Sequence, residues 1–309
     1  MSKENTAVTK KKIKRCKEDV VFDAACFIIL TLVLFVVAYP LYWVIISSIS
    51  APSAVSSGKV LLHPIGFTLK GYAEVFKNDQ VMRGFLNSLI ITFCGVMVNL
   101  IVTLPTSYAL SRSNFSGKKP ITIFYLITMF FGGGLIPTYL VIQRLQMLNT
   151  IWALILPGCL SVYNMIVART FFKSNISEEL YEAAEIDGCT QARFFFQIAL
   201  PLSKAIIAIL VLYYGVGHWN SYFSALVYIS DKAKNPLHLV LRNILITNQT
   251  ALSQTATTAA ARAALQEKQQ LIDVMKYSLI IISSIPVLVM YPLVQKHFVK
   301  GVMIGSLKG

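Results

Sequence analysis

Residues 177–201 read SEELYEAAEIDGCTQARFFFQIALP, a charged, amphipathic stretch between two long apolar runs. Ser177 is a good helix N-cap, and the two glutamates after it suit the positive end of the helix dipole. Gly188 can adopt the left-handed conformation that ends a helix, and Thr190 can cap a second one. Pro201 disfavours helical backbone in the residue before it, so we expect it to end the second helix. The stretch therefore predicts a helix, a glycine turn and another helix.

The apolar runs on either side predict a membrane domain. Of the 309 residues, 14% are charged, against roughly 25% in soluble domains. The charges are clustered, and the intervals between them reach or approach the roughly 20 apolar residues that cross a bilayer. We therefore predict an all-α integral membrane protein with six transmembrane helices, at residues 21–47, 85–110, 121–142, 151–168, 205–229 and 271–294.

The distribution of basic residues predicts the orientation. Lysine and arginine are about twice as dense in one set of loops and tails as in the other, and the denser side is normally cytoplasmic. The denser set is 1–20, 111–119, 169–204 and 296–309, and the sparser set is 48–84, 143–150 and 229–270. Both termini are then cytoplasmic. The formal charge of +14 follows from this topology, so no nucleic-acid partner is expected, although the first tail can also bind acidic membrane lipid.

These boundaries divide the chain into three parts. Residues 1–20 form a basic cytoplasmic tail, residues 21–295 form the six-span domain, and residues 296–309 form a second cytoplasmic tail. The domain contains a cytoplasmic helix–turn–helix segment at 171–202, which we call the hairpin.

Sequence signatures of catalysis are missing from the chain. It has no G-x-x-x-x-G-K-[ST] phosphate loop, no H-E-x-x-H and no G-x-S-x-G. The four histidines are scattered, and the five cysteines form no C-x-x-C. We therefore expect no catalytic residue, metal or cofactor, and no ATP hydrolysis by this chain.

Within the hairpin, a set of fixed positions resembles the EAA motif, E-A-A-x3-G-x9-I-x-L-P, of permease subunits of ABC importers. Every defined position matches: Glu182, Ala183, Ala184, Gly188, Ile198, Leu200 and Pro201. Further stretches are similar to sugar-transporting members of the type I importers, and the run at 132–139 resembles the branch for oligosaccharides and polysaccharide fragments, related to the maltose-type inner subunit. These stretches are NSLIIT at 87–92, ALSR at 109–112, GGGLIPTY at 132–139, VARTFF at 167–172 and HWNSYF at 218–223.

This resemblance implies an assembly in the bacterial cytoplasmic membrane, with a family core at about 84–295. The implied partners are a second, different permease subunit, two ATP-binding cassette ATPase subunits and an extracellular sugar-binding protein. The first four motif positions would couple to the ATPase, and the last three would hold the hairpin to the spans. Many relatives have proline where this chain has Ser177; because serine caps a helix, the helix start is expected to survive.

Candidate sugar contacts are aromatic rings and amides near the predicted path, because rings stack on sugars and amides bond to hydroxyls. They are Asn87, Tyr108, Asn164, Trp219, Asn220 and Tyr222. Two alternatives stay open. The polar second half of the fifth span either lines the pathway or forms an aromatic belt at the membrane interface. The glycines at 132–134 either break a helix beside the pathway or, in the simpler account, let helices pack closely.

Two other functions are considered. A stand-alone secondary sugar carrier would need no ATPase, but a proton-driven carrier usually keeps an ionisable residue at mid-membrane, and none is evident here. A membrane-embedded enzyme or scaffold has no motif to support it. The sequence therefore predicts the membrane-spanning subunit of an ATP-driven importer that forms half of the path for a carbohydrate.

Overall fold

The computed structural model describes residues 17–251 and 259–305. Most of the first basic tail, at 1–16, and the end of the second, at 306–309, lie outside the described residues. The described parts are helical throughout, apart from loops and turns. The α-helices are α1 Lys17–Ser48, α2 Pro52–Ser56, α3 Lys70–Lys77, α4 Asp79–Ser111, α5 Lys118–Phe130, α6 Leu135–Arg144, α7 Trp152–Ile155, α8 Val162–Asn175, α9 Glu178–Ile186, α10 Gln191–Phe194, α11 Leu200–Leu202, α12 Lys204–Trp219, α13 Tyr222–Tyr228, α14 Leu237–Ala251 and α15 Ala259–Gly305.

Three described helices are long and apolar enough to cross a bilayer: α1, α4 and the Gln269–Pro292 part of α15. Three further pairs pass the same test together but are bent, by 114° between α5 and α6, by 52° before α8 and by 80° before α12. Counting each bent pair as one span brings the number to six. The third of these pairs, Gln191–Leu202 with α12, differs from the predicted fifth span at 205–229. The pair begins within the hairpin and ends with α12 at Trp219, and α13 follows as a separate helix.

The glycines at 132–134 break the third span. Gly134 has a φ of 84°, in the left-handed region that glycine adopts at no steric cost. A Cβ at Gly132 or Gly134 would have no heavy atom within 4 Å, and one at Gly133 would meet only Pro137 at 3.7 Å. The expectation of close helix packing at these glycines is therefore wrong for the described residues of this chain; they serve a sharp turn instead.

The prediction that Pro201 ends the second helix of the hairpin is also wrong. A single π-helical turn, Phe195–Ala199, follows α10, and α11 continues it to Leu202. Pro201 lies within this continuous run and has no backbone N–H, so it cannot donate to the turn before it. The chain instead bends at Ser203, between α11 and α12.

Helix α4 lies at the centre of the bundle and packs against α8, α12 and α14. Helix α15 closes the other side, against α1, α3 and α12. A close approach makes the α3 contact possible, because a Cβ at Gly71 would lie 2.6 Å from the Ser278 hydroxyl oxygen. In the first half of α15, Asp273 and Lys276 form an ion pair at 2.7 Å.

Among the described residues, helix α1 is buried against the bundle near its C-terminal end. Its most apolar window is 0% buried, whereas Ile46 and the two serines after it are buried. The Trp43 indole N–H donates to the carbonyl of Val60 at 2.8 Å. The same ring packs edge-on against Tyr277 of α15, with centroids 5.1 Å apart.

Candidate functional site

The first helix of the hairpin, α9, begins and ends as the sequence predicts. The Ser177 hydroxyl accepts a hydrogen bond from the backbone N–H of Leu180 at 3.3 Å. At the other end, the N–H of Gly188 donates to the Glu185 carbonyl at 3.0 Å, and the N–H of Cys189 donates to the Ala184 carbonyl at 2.9 Å. This pair of bonds is the Schellman motif, which requires a left-handed residue. Gly188 supplies it with a φ of 75°.

The second helix starts at a threonine cap. The Thr190 hydroxyl accepts from the backbone N–H of Arg193 at 3.4 Å. In the π turn that follows, Phe195 and Ala199 point inward and are buried. Ile198 and Leu200 of the predicted motif pack against the same core, whereas Pro201 is exposed.

The hairpin has two distinct faces. On α9, Tyr181 and Ala184 are buried against the bundle. On its other side Glu182 and Ala183 are exposed. Ile186, at the tip, is 87% exposed, an unusual state for a large apolar side chain next to a rigid turn. The exposed face is therefore a small apolar and acidic surface presented by a fixed backbone.

An aromatic cluster fixes the hairpin to the C-terminal end of α4. The Tyr108 ring lies 5.7 Å from Phe172, 6.4 Å from Phe194 and 5.0 Å from Phe195, measured between centroids. Phe194 also meets Tyr181 edge-on at 5.3 Å. Offset and edge-on aromatic contacts add stability beyond the area that they bury. The cluster joins one residue of α4, one of α8 and both helices of the hairpin.

A polar contact, which we call the clasp, joins the hairpin to the same end of α4. It consists of Arg112, Ser113 and Glu178: the guanidinium forms an ion pair with the Glu178 carboxylate. The Ser113 backbone N–H donates to the same carboxylate at 3.1 Å. The Arg112 guanidinium also lies over the Tyr181 ring, 4.2 Å from its centroid, a favourable cation–π position.

The surroundings of Glu178 keep it ionised. Hydrogen bonding by the Ser113 side chain and backbone, with the charges of Arg112 and Lys118, outweighs burial and lowers the pKa of the Glu178 carboxyl below its ordinary value of 4.5. Sequence reasoning missed the clasp. The ALSR stretch at 109–112 was noted for its family likeness, but no local signal pairs an arginine with a glutamate 66 residues away.

The six predicted sugar contacts do not form one cluster. Asn220 and Tyr222 lie side by side at the end of α12 and are exposed, and the Tyr222 backbone N–H donates to the Asn220 carbonyl at 2.8 Å. Asn87 uses its amide to bind the backbone, donating to the carbonyl of Ala233 at 2.8 Å. Asn164 is buried in α8.

Trp219 and Tyr108, like Asn164, lie in the packed interior. Trp219 is 2% exposed, and its indole N–H donates to the Ser283 carbonyl at 2.9 Å. In this conformation it belongs neither to an aromatic belt nor to an open pathway. Tyr108 is enclosed by the aromatic cluster and borders a cavity of about 350 Å³ between α4 and the hairpin. Sugar contact at either ring stays a prediction that needs a conformation in which this packing opens.

The described residues hold no cluster with metal-binding geometry. No group of three or more histidine, cysteine, aspartate or glutamate side chains lies close enough to hold an ion in that part of the chain. The described cysteines, Cys26, Cys94, Cys159 and Cys189, are free thiols.

Comparison with known proteins gives consistent relatives. The chain is 38% identical to protein LplC of Bacillus subtilis over 94% of this chain and 95% of that protein. It is 35% identical to the polygalacturonan/rhamnogalacturonan transport system permease protein YtcP of the same organism, over 93% and 98%. The galactooligosaccharides transport system permease protein GanQ is 29% identical, over 92% and 94%. No family model matches the chain.

A solved structure shares the fold. It is a bacterial ABC transporter involved in the import of the acidic polysaccharide alginate, one chain of which superposes with a TM-score of 0.82 at 27% identity, over 92% of this chain and 99% of that one. Its chain and the named permeases match this protein over nearly their full lengths, including the hairpin and the spans. The protein therefore belongs to the family of sugar ABC transporter permeases and is a membrane-spanning subunit of a carbohydrate import system.

Proposed function

We propose that this chain forms half of the path for an oligosaccharide and that the hairpin transmits the work of an ATPase to that path. A second, different permease subunit supplies the other half. Two ATP-binding cassette ATPase subunits bind on the cytoplasmic side, where both termini lie, and an extracellular sugar-binding protein delivers the substrate. The assembly resides in the bacterial cell membrane.

The observation that carries this proposal is the two-faced hairpin. Its inner face is fixed to α4 and α8 by the aromatic cluster and the clasp, so a push on the hairpin moves the spans. Its outer face presents Glu182, Ala183 and the exposed Ile186. An exposed apolar surface on a rigid element marks a protein contact, and the small side chain of Ala183 on this face allows a groove to approach closely.

Each motif residue has a part in this coupling. Glu182, Ala183 and Ala184 belong to the helix that enters the ATPase groove, and Gly188 provides the turn behind it. Ile198 and Leu200 anchor the second helix on the core, and Pro201 starts its last turn. When ATP closes the ATPase subunits, the hairpins move as rigid bodies and the spans change between inward-open and outward-open arrangements.

The proposed substrate is an oligosaccharide, because the similar proteins are named for polygalacturonan/rhamnogalacturonan, galactooligosaccharides and alginate. Asn220 and Tyr222 are the candidate contacts that are exposed in this conformation. Asn87, Tyr108, Asn164 and Trp219 complete the proposed path as it opens during transport.

The test is a mild-detergent pull-down of the tagged chain from native membranes, followed by mass spectrometry. The expected result is recovery of an ATPase, a second permease and a sugar-binding protein. Ile186→Asp should lose the ATPase and keep the second permease. Phe67→Asp is the matched control, since Phe67 is also exposed, at 71%, but lies in the loop between α2 and α3.

Recovery of the wild-type chain alone, even after crosslinking through Cys189, would refute the coupling proposal and favour a stand-alone carrier. If the complex forms, uptake of labelled acidic and neutral oligosaccharides into proteoliposomes identifies the sugar class. Uptake that persists without the ATPase subunits would again favour the stand-alone carrier.

A further inference from the structure

The fourth span contains a break whose backbone groups are supported from two other spans. The outer part, Trp152–Gly158, meets α8 at an angle of 52°. Pro157 has no backbone N–H, and the residues up to Ser161 leave the regular helical hydrogen-bond pattern. In a membrane such groups must find other partners, because each unsatisfied one is costly in an apolar environment.

Two side chains form hydrogen bonds directly with backbone groups of the break. The Asn99 amide of α4 donates to the Gly158 carbonyl at 2.7 Å. The backbone N–H of Ser161 donates to the Tyr214 hydroxyl oxygen of α12 at 3.2 Å. Asn99 is 0% exposed, and Tyr214 is buried as well. A carbonyl and an N–H on opposite sides of the break are therefore each bound by a different span.

Each supporting side chain is itself held by a second one. Asn99 accepts through its amide oxygen from Nε2 of His218 at 2.6 Å, and the Tyr214 hydroxyl pairs with the hydroxyl of Thr103 at 2.7 Å. Since the Asn99 nitrogen must face a carbonyl, its oxygen faces His218, and Nε2 carries the proton. These four residues, Asn99, Thr103, Tyr214 and His218, are called the brace.

The spacing of the brace shows how it is built. Asn99 and Thr103 are four residues apart on α4, and Tyr214 and His218 are four apart on α12, so each pair occupies one helical face. Gly95 leaves space for the His218 imidazole, because a Cβ at Gly95 would lie 2.5 Å from the ring. Helices α4 and α12 thus each carry two polar side chains on the face that meets the break.

We propose that Asn99 and Tyr214 are positioning residues for transport. They hold the break at residues 156–161 of the fourth span, which we call the joint, at a fixed angle, so that movement of the hairpin reaches the spans undiminished. This inference rests on the proposed coupling role of the hairpin. Helix α8 leads directly from the joint to the hairpin, with only Ile176 and Ser177 between it and α9. A loose joint would bend when the hairpin moves, and part of the displacement would be lost at residues 156–161.

The experiment uses the complete transporter, with its partner permease, ATPase subunits and binding protein, in proteoliposomes. Tyr214→Phe removes one hydroxyl and keeps the ring, so the packing around it should survive. Tyr213→Phe is the matched control, since it makes the same change on the neighbouring residue, which is 44% exposed. Asn99→Leu is the second test variant, and it removes the other support.

Two quantities are measured for each variant. The first is sugar taken up per ATP hydrolysed. The second is the distance distribution between spin labels at residues 152 and 170, placed in a background with every cysteine replaced by serine. These positions lie on either side of the joint and are exposed in this chain, roughly 27 Å apart along a continuous helix.

We expect a narrow wild-type distribution that changes little with ATP. In Tyr214→Phe and Asn99→Leu the distribution should broaden, because each variant loses one hydrogen bond to the joint and one within the brace. Uptake per ATP should fall about fivefold, the change in an equilibrium expected from the one lost bond to the joint. Tyr213→Phe should match the wild type in both measurements. A variant that merely folds poorly would lower uptake and ATP hydrolysis together and leave their ratio unchanged.

Unchanged uptake per ATP in Tyr214→Phe would overturn the proposal, as would a wild-type distribution that ATP shifts as widely as it shifts the variants. Failure of the proposed function looks different. In that case the wild-type complex shows no ATP-driven sugar uptake at all, while the label distances can still be compared between variants.

Discussion

Replacing Gly188 separates the backbone geometry of the hairpin from its contacts. Gly188 has a φ of 75°, and a Cβ there would meet no heavy atom within 4 Å. Within this chain a substitution therefore causes no clash, and its cost comes from the left-handed backbone alone. That cost is about 1–2 kcal/mol for an ordinary residue and more for a β-branched one, while asparagine tolerates the conformation.

These magnitudes predict an order of activity. Since about 1.4 kcal/mol corresponds to a tenfold change in an equilibrium, Gly188→Val should lower ATP-dependent sugar uptake roughly tenfold, with Gly188→Ala between it and the wild type. Gly188→Asn should stay within about twofold of the wild type, because αL is accessible to it. Uptake is measured in proteoliposomes, and membrane insertion of each variant is checked by the amount of folded chain.

The series also distinguishes a second explanation. If residue 188 instead touches the ATPase directly, asparagine and valine should be about equally harmful, because both add a side chain to the contact. Gly217→Val is a useful control, since a Cβ at Gly217 also has no heavy atom within 4 Å but the residue has no left-handed φ. Wild-type uptake in Gly188→Val would refute the role assigned to this turn.

Three further changes test other contacts. Because the pKa of Glu178 is lowered in the folded protein, the clasp should contribute fully to stability above about pH 4.5 and lose that contribution as the pH falls through the lowered pKa. The melting temperature of Glu178→Gln in detergent should lack this part of the pH dependence. An identical pH dependence of the melting temperature in both proteins would count against the clasp. Phe194→Ala removes a fully buried ring and should lower stability by about 3–5 kcal/mol. The loss should appear as a lower melting temperature and as faster proteolysis of the hairpin. Phe196→Ala, at an exposed position, should change both measurements little. Gly71→Val should separate α3 from α15, because a Cβ already approaches Ser278 within 2.6 Å, and hydrogen exchange in 70–77 should rise; unchanged exchange would show that the helices can shift to make room.

Local signals predicted the hairpin well. The caps at Ser177 and Thr190 and the turn at Gly188 depend on bonds between residues close in sequence, so composition and spacing suffice to find them. Charge-free intervals likewise predicted the three unbroken candidate spans, in α1, α4 and α15. The prediction that Pro201 ends the second helix was wrong because the helix continues through a π turn and bends at Ser203 instead. No local sequence preference predicts such a turn.

Contacts between distant elements were not predictable in this way. The clasp and the brace join residues 53 to 119 positions apart, and each partner alone looks like an ordinary polar residue near or within a span. Trp219 shows the same limit. Its position in a polar run suggested a pathway or a belt, but packing against Phe85 and a bond to Ser283 place it inside the bundle.

The attachment of α1 has a consequence for how the chain is made. Its partners lie both in the segment that follows it, where Ser48 meets Tyr72 of α3, and in α15, where Trp43 meets Tyr277 and Ile46 shares a cluster with Val274. About 230 residues separate Trp43 from Tyr277, so at roughly 5–20 residues per second the contacts with α15 form about 12–45 s after α1 is synthesised. A ribosome that stalls before α15 therefore leaves α1 with its contacts to the segment at 49–72 and without those to α15.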